Sequence, residues 1–226
     1  MEVTSSGTSS KANTSVYSES VTVSADGGSL YPSTYNEEDY TQWQTFDFGT
    51  EYVFNVSSKT WEGTSPADAG VASVTVKARN LKVENTSDSP INIRLTGTNS
   101  TFKVTVDGNG QTVKITMDNL NLTSADRVLN IKNSAATYIV LEGSNSLETL
   151  INSYDKNVLK SETDMVFDGT GSLSVIANSK NGIVTEYGVI AILNGDITVT
   201  VASTTAERST LSPMPPPGMT QAHLTA

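Results

Sequence analysis

Between Asn157 and Val201 the apolar residues fall in short runs of period two, and the same pattern is stated twice. The first copy opens with Asn157, Val158 and Leu159, continues through Met165 and Phe167, and closes on Gly169, Gly171, Leu173 and Val175. The second runs Asn181, Gly182 and Ile183, then Ile190 and Ile192, then Asn194, Gly195, Ile197 and Val199. The offset is about 24 residues, in the range where self-similarity signals a stacked repeat. Alternation of period two marks a strand with one face buried, and three such runs joined by turn residues predict three short strands per coil. A single coil cannot bury its inward side chains alone and must stack on its neighbours. The pattern therefore predicts an all-β parallel β-helix.

The alternation reaches far upstream. Val74 and Val76, Leu81 and Val83, Ile91, Ile93 and Leu95, and Phe102, Val104 and Val106 all read as inward positions. Between them, Asn85 to Pro90, Gly97 to Ser100 and Asp107 to Gly110 carry turn chemistry. The runs continue through Val113, Ile115 and Met117, Leu120 and Leu122, Val128, Leu129 and Ile131, and Ile139 and Leu141. No segment holds a helical period, so nearly no helix is expected, and the β-helix is predicted over residues 70–204. Ahead of it, Val16 to Val23 reads as a strand. Leu30 to Phe54 carries Tyr31, Tyr35, Tyr40, Trp43, Phe46, Phe48, Tyr52 and Phe54. These rings suit either sugar stacking or closure of the open core at a solenoid end. The need of terminal repeats for an atypical closing structure favours closure, and residues 16–69 are read as N-terminal strands and cap. Residues 1–15 are almost wholly Ser, Thr, Gly, Asn and Lys and are expected to form a flexible tether. Residues 205–226 lose all alternation and hold Pro213, Pro215, Pro216, Pro217 and the only histidine, His223. They are expected to be an irregular tail, either a proline-rich linker or a truncated or frame-shifted end.

A formal net charge of -10 and a pI near 4.5 argue against nucleic acid, whose phosphates demand Lys and Arg. The chain has no cysteine, which excludes disulfides and thiolate metal sites. No apolar run approaches the roughly 18 residues needed to span a bilayer, so no membrane span is expected. The first residues show no basic segment followed by an apolar one, leaving a cytoplasmic protein or an exported one whose leader is not part of this chain. Turns dominated by Ser, Thr, Asn and Gly favour the extracellular or cell-surface alternative.

Several phrases carry a family likeness: Ile91-Asn-Ile-Arg-Leu-Thr-Gly-Thr, Val113-Lys-Ile-Thr-Met-Asp-Asn-Leu-Asn-Leu-Thr-Ser, Val128-Leu-Asn-Ile, Ile139-Val-Leu-Glu-Gly-Ser-Asn-Ser-Leu, Phe167-Asp-Gly-Thr-Gly-Ser-Leu-Ser-Val and Asn181-Gly-Ile-Val. In this order they resemble the bacterial carbohydrate-binding-domain-containing proteins, over about Gly70 to Thr204. The resemblance implies an exported, right-handed, pectate-lyase-like parallel β-helix that binds plant-type polysaccharides, acidic ones included, together with calcium.

Calcium takes carboxylates, Asn side chains and main-chain carbonyls. Stacked turns bring residues one coil apart together, so Asp155, Asn157 and Asn181, with Asp168, are the expected ligands. For Asn157 and Asn181 the competing reading is an asparagine ladder along the turn column. The expected polysaccharide contacts are Tyr154, Tyr187, Arg127 and Lys160, with Tyr138 as a further ring that is either a platform or packed. The leading expectation is non-catalytic polysaccharide binding. The alternatives are a polysaccharide lyase drawing its base from Arg79, Arg94, Arg127, Lys132 or Lys160, and a structural adhesin segment.

Overall fold

Leu81, Val104, Leu129, Leu159 and Ile183 stand in register on five successive parallel strands, and all are buried. Ile93, Ile115, Ile139, Phe167 and Ile192 make a second buried column, and Leu122, Leu147, Val175 and Val199 a third. Side chains of alternate parity point into this shared interior because successive residues of a strand face opposite ways. The fold is the expected parallel β-helix, with almost no helical structure.

The computed structural model describes residues 4–9, 17–24, 38–150 and 156–203. In chain order the elements are β1 (Thr4–Ser9), β2 (Tyr17–Ser24), a one-turn helix α1 (Glu38–Thr41) continued by a 3-10 turn (Gln42–Gln44), β3 (Glu51–Asn55), β4 (Thr60–Glu62), β5 (Ala72–Lys77), β6 (Asn80–Asn85), β7 (Ile91–Asn99), β8 (Lys103–Asp107) and β9 (Val113–Ser124). Then follow β10 (Leu129–Lys132), β11 (Thr137–Glu142), β12 (Ser144–Thr149), β13 (Leu159–Ser161), β14 (Met165–Gly169), β15 (Ser172–Ala177), β16 (Ile183–Thr185), β17 (Ile190–Ile192) and β18 (Asp196–Ser203). One sheet runs β16-β13-β10-β8-β6-β5. The other carries two strand columns joined through β9, which pairs with β11 over Val113–Asp118 and with β12 over Asn121–Ser124. Asn119 lies between those halves with φ 49°, the left-handed conformation that Asn tolerates and that bends the strand.

Polar groups at the interior corners are satisfied from coil to coil. Buried Asn145 accepts from the Leu120 N–H at 2.9 Å and donates to the carbonyls of Glu142 and Ser172, each at 3.1 Å. A single amide thereby joins three consecutive coils. On the outer face, Arg94 of β7 does the same with charge. Its Nε donates to Glu51 at 2.8 Å, and Nη1 to Asp118 at 3.1 Å. Glu142 is held bidentately at 2.5 and 3.1 Å. The Arg94 hydrogen bond holds the Glu142 carboxyl below its ordinary value, and Glu142 in turn raises the guanidinium.

Antiparallel strands cover β3 and β6 at the start of the solenoid and β18 at its far end, where β16 and β17 remain the last strands of their columns among the described residues. At the start of the solenoid, β4 pairs antiparallel with β3, and β5 with β6. There Phe54 stacks near Phe102 at 6.2 Å and meets Trp61 edge-on at 5.0 Å, and of the rings in Leu30 to Phe54 it joins the main core cluster. Two parts of the N-terminal expectation need correction. Tyr40 and Phe48, with Trp43, pack in a separate cluster on Tyr138, Val166, Ala191 and Leu193, on the outer face rather than over the open core. The helical turn and the residues to Phe48 therefore form a strap along the side of the solenoid. The expected strand near Val16 exists as β2 but pairs antiparallel with β18, at the opposite end from the cap. Within the expected tether, Thr4–Ser9 forms a strand, because the free edge of β2 offers unpaired backbone groups. Val76, expected to face inward, is 40 % exposed because β5 is the terminal strand of its sheet with no coil beyond it. The tail at 204–226 lies outside the described residues.

Replacing Asn145 with Ala is expected to lower unfolding free energy by about 2 kcal/mol, because one buried and two half-buried backbone groups lose their partners; denaturant midpoints at constant slope measure it. Arg94→Met leaves three carboxylates facing one another and should cost about 2 kcal/mol, below the fully buried value because the acids are partly solvated. Glu142 is depressed below 4.5 in the fold, so its stabilisation is complete above that pH and is lost as pH falls through the native value. The acid-side decline in unfolding temperature of the parent protein should therefore be shallower in the Arg94→Met protein.

Candidate functional site

Inward alternation on one parity leaves the other parity in rows on the surface. On the β6–β16 face, Lys82, Thr105, Asn130, Lys160 and Val184 form one such row across five strands. Glu84, Asp107 and Lys132 form the next. Lys103 and Arg127 border them, the Arg127 Nη1 donating to the Asn130 Oδ1 at 3.1 Å. The Arg127 Nε is buried without a hydrogen-bond partner. A chain of net charge -10 thus gathers five of its 14 basic residues on one sheet face.

Each lysine of this face has an acidic neighbour. Lys82 meets Glu84 at 2.6 Å, Lys132 meets Asp107 at 2.9 Å, and Lys160 meets Glu186 at 2.6 Å. Lys103 bonds Asp126, which Lys156 also approaches at 3.8 Å. Burial pushes the Asp107 carboxyl up, but Lys132, the Asn109 N–H and Asn133 outweigh it and the net direction is down. Asp126 behaves alike: burial raises it, and Lys103 with the Arg127 N–H brings it lower. The Asp107 hydrogen bond raises Lys132.

Tyr187 is 86 % exposed and borders the same face. Its turn is fixed by the Glu186 N–H on the Ser161 carbonyl at 3.1 Å and its own N–H on the Glu162 carbonyl at 3.0 Å. Of the expected contacts, Arg127 and Lys160 stand on the β6–β16 face, and Tyr187 is exposed in the turn after β16, next in sequence to the Glu186 that pairs with Lys160. Tyr154 lies outside the described residues. The coil that contains it is longer than its neighbour: Leu159 stacks on Leu129 from 30 positions away, whereas Ile183 stacks on Leu159 from 24. The extra residues enter between β12 and β13, next to Lys156 and Asp126. Lys82, Thr105, Asn130 and Lys103 are not among the residues expected from the sequence; what aligns them is polar parity at coil spacing, visible only once the strands are registered.

The residues expected to hold calcium are not gathered. Asp155 lies outside the described residues. Asn157 and Asn181 do stack, through the Asn181 N–H on the Asn157 Oδ1 at 3.4 Å, which is a side-chain to backbone bond rather than an amide ladder. Asp168 stands on the outer face of the other sheet. Its Oδ2 accepts from the Tyr138 hydroxyl at 2.6 Å and the Gln44 Nε2 at 3.0 Å, and its Oδ1 from the Asn194 Nδ2 at 2.7 Å and the Gly169 N–H at 2.8 Å. Four donors fill the acceptor positions of one carboxylate. Burial raises this carboxyl and the donors more than reverse that, while burial and Asp168 push the Tyr138 hydroxyl up. Asp168 therefore does not fit a calcium ion here, and among the described residues no group of three His, Cys, Asp or Glu is placed to hold a metal. Tyr138 is the packed ring of the two alternatives, buried under Phe48. No helix among the described residues is long and apolar enough to cross a membrane.

Comparison with curated proteins finds no match, and comparison with solved structures finds none. The family described as carbohydrate-binding domain-containing protein matches residues 82–209, which take in β6 to β18 and so all five coils of the face just described. That stretch is more than half of the 226 residues. The chain belongs to the family of carbohydrate-binding domain-containing proteins.

Proposed function

We propose that this protein binds an acidic, plant-type polysaccharide outside the cell, without cleaving it, along the β6–β16 face. The observation that carries this reading is the row Lys82, Thr105, Asn130 and Lys160 with Lys132 and Arg127 beside it, in a chain whose overall charge is strongly negative. Adjacent strands lie about 4.8 Å apart, so equivalent side chains repeat along the solenoid axis and meet successive parts of an extended polymer. Lys and Arg supply cations for uronate carboxylates. Asn130 and Thr105 supply both donors and acceptors for hydroxyls, and Tyr187 supplies an exposed ring face for stacking.

A uronate competes with Glu84, Asp107 and Glu186 for lysines they already hold. Each exchange gains little, so affinity comes from many contacts made at once along one chain. The same pairing supports a non-catalytic role. Proton abstraction beside a uronate needs an unprotonated base, and Lys132 is held more firmly protonated by Asp107, as Arg94 is by Glu142. Cations of the protein take the part that calcium was expected to play.

The double variant Lys132→Glu with Lys160→Glu is expected to weaken binding to polygalacturonate by about tenfold, with far-ultraviolet circular dichroism unchanged. Calorimetric titration measures it, and parental affinity in the double variant would remove this face from the proposal. Binding should also weaken steadily with added salt and be indifferent to a chelator, and ultraviolet absorbance should show no unsaturated product. Loss of binding on chelation would return calcium to the site.

A further inference from the structure

The strap and what lies beneath it divide at the family boundary. Tyr40, Trp43 and Phe48 precede the matched residues 82–209, whereas Tyr138, Val166, Ala191 and Leu193 lie within them. The floor thus belongs to the carbohydrate-binding stretch, and the cover does not. The contacts between the two have the chemistry of a bound sugar. The Phe48 ring lies parallel to Tyr138, at 3° and 5.5 Å between centroids, in an offset stack. That is the position a pyranose takes when its apolar C–H face rests on an aromatic ring. Gln44 donates to the Asp168 Oδ2 at 3.0 Å, as a sugar hydroxyl would, while exposed Asn194 holds the other oxygen from the open side.

We propose that Tyr138, Asp168 and Asn194 form a subsite for a pyranose of a neutral polysaccharide, closed by Gln44 and Phe48 standing in for the sugar. Asp168 accepts hydroxyl donors and repels a uronate carboxylate held against it, while Lys114, in register with Tyr138 and 5.4 Å from the Phe48 ring centroid, balances that charge at the edge of the cover, so a sugar without a charge of its own suits the subsite. The cover is built to lift. Its helical part is one turn plus a 3-10 turn, far short of a self-supporting helix. Gln44 is exposed, and Phe46 at the strap's crest is 42 % exposed. The protein then carries two faces of opposite preference, acidic polymer on β6–β16 and neutral polymer under the strap.

The full chain is titrated with a soluble neutral β-glucan, hydroxyethylcellulose, and separately with polygalacturonate. Gln44→Glu sets a second carboxylate against Asp168, and Phe48→Ala removes the stacked ring. Each should bind the neutral glucan about tenfold more tightly than the parent, because the closed population no longer competes, with polygalacturonate affinity unchanged. Adding Tyr138→Ala or Asn194→Ala should cancel the gain. Unchanged neutral-glucan affinity in both strap variants overturns the proposal, as does a gain that survives loss of Tyr138. Where the strap variants do not fold, Trp61→Phe leaves Trp43 as the sole tryptophan of the two, and saturating neutral glucan should shift its emission; an unmoved emission overturns the proposal equally. The Lys132→Glu, Lys160→Glu protein separates the two sites, since it should lose the acidic polymer and keep the strap-variant gain.

Discussion

Everything in this protein depends on the burial of each coil by the next. A coil of three short strands exposes apolar residues on both its rims, and only a neighbour in register removes them from water. Columns such as Leu81, Val104, Leu129, Leu159 and Ile183 are that requirement made visible. A slip of one residue would turn every side chain of a strand to the wrong side, so register is strongly specified. The same constraint arranges the outside. Residues of the other parity are forced into rows at strand spacing, and Lys82, Thr105, Asn130 and Lys160 are aligned because the leucines and valines between them are.

This explains what was legible in the sequence. The doubled pattern correctly paired Leu159 with Ile183, Met165 with Ile190, and Leu173 with Ile197, since stacking within a repeat is a matter of offset and parity. What offset and parity do not encode is which outer face is covered, and by what. Tyr138, Val166 and Ala191 sit at outward parity on their strands, and their cover arrives from about ninety positions upstream of the first of them. Asp168 was misassigned for the same reason. Its four donors come from the strap, a neighbouring strand, a turn and its own backbone, and of these only the Gly169 N–H is its immediate neighbour in sequence. The pairing of β2 with β18 escaped likewise, because an antiparallel strand added from the far end of the chain belongs to no repeat.

Net charge conceals how the charges are distributed. The acidic total is spread over several faces, and on the first coils it is organised around Arg94, where Glu51, Asp118 and Glu142 converge on one guanidinium. On β6–β16 five basic residues alternate with acidic partners, Glu84, Asp107, Asp126 and Glu186, so that face is a mosaic of both signs rather than part of the acidic excess.

The two ends of the solenoid carry the remaining constraint. Stacked parallel strands end in open edges that template further strands. Here β4 and β5 close the first coil and β2 with β1 continue from the last, all antiparallel to the strands they meet. A parallel coil from a second molecule would find the wrong hydrogen-bond pattern at these edges, while β16 and β17 of the last coil end their sheets with no further strand among the described residues. Both closures come from residues ahead of β6: β1 and β2 meet the last coil, and β4 and β5 the first. The strap bears on Tyr138, Val166, Ala191 and Leu193, a cluster separate from the interior that the coils bury in one another, so the packing of that outer face and the sealing of the core rest on different residues.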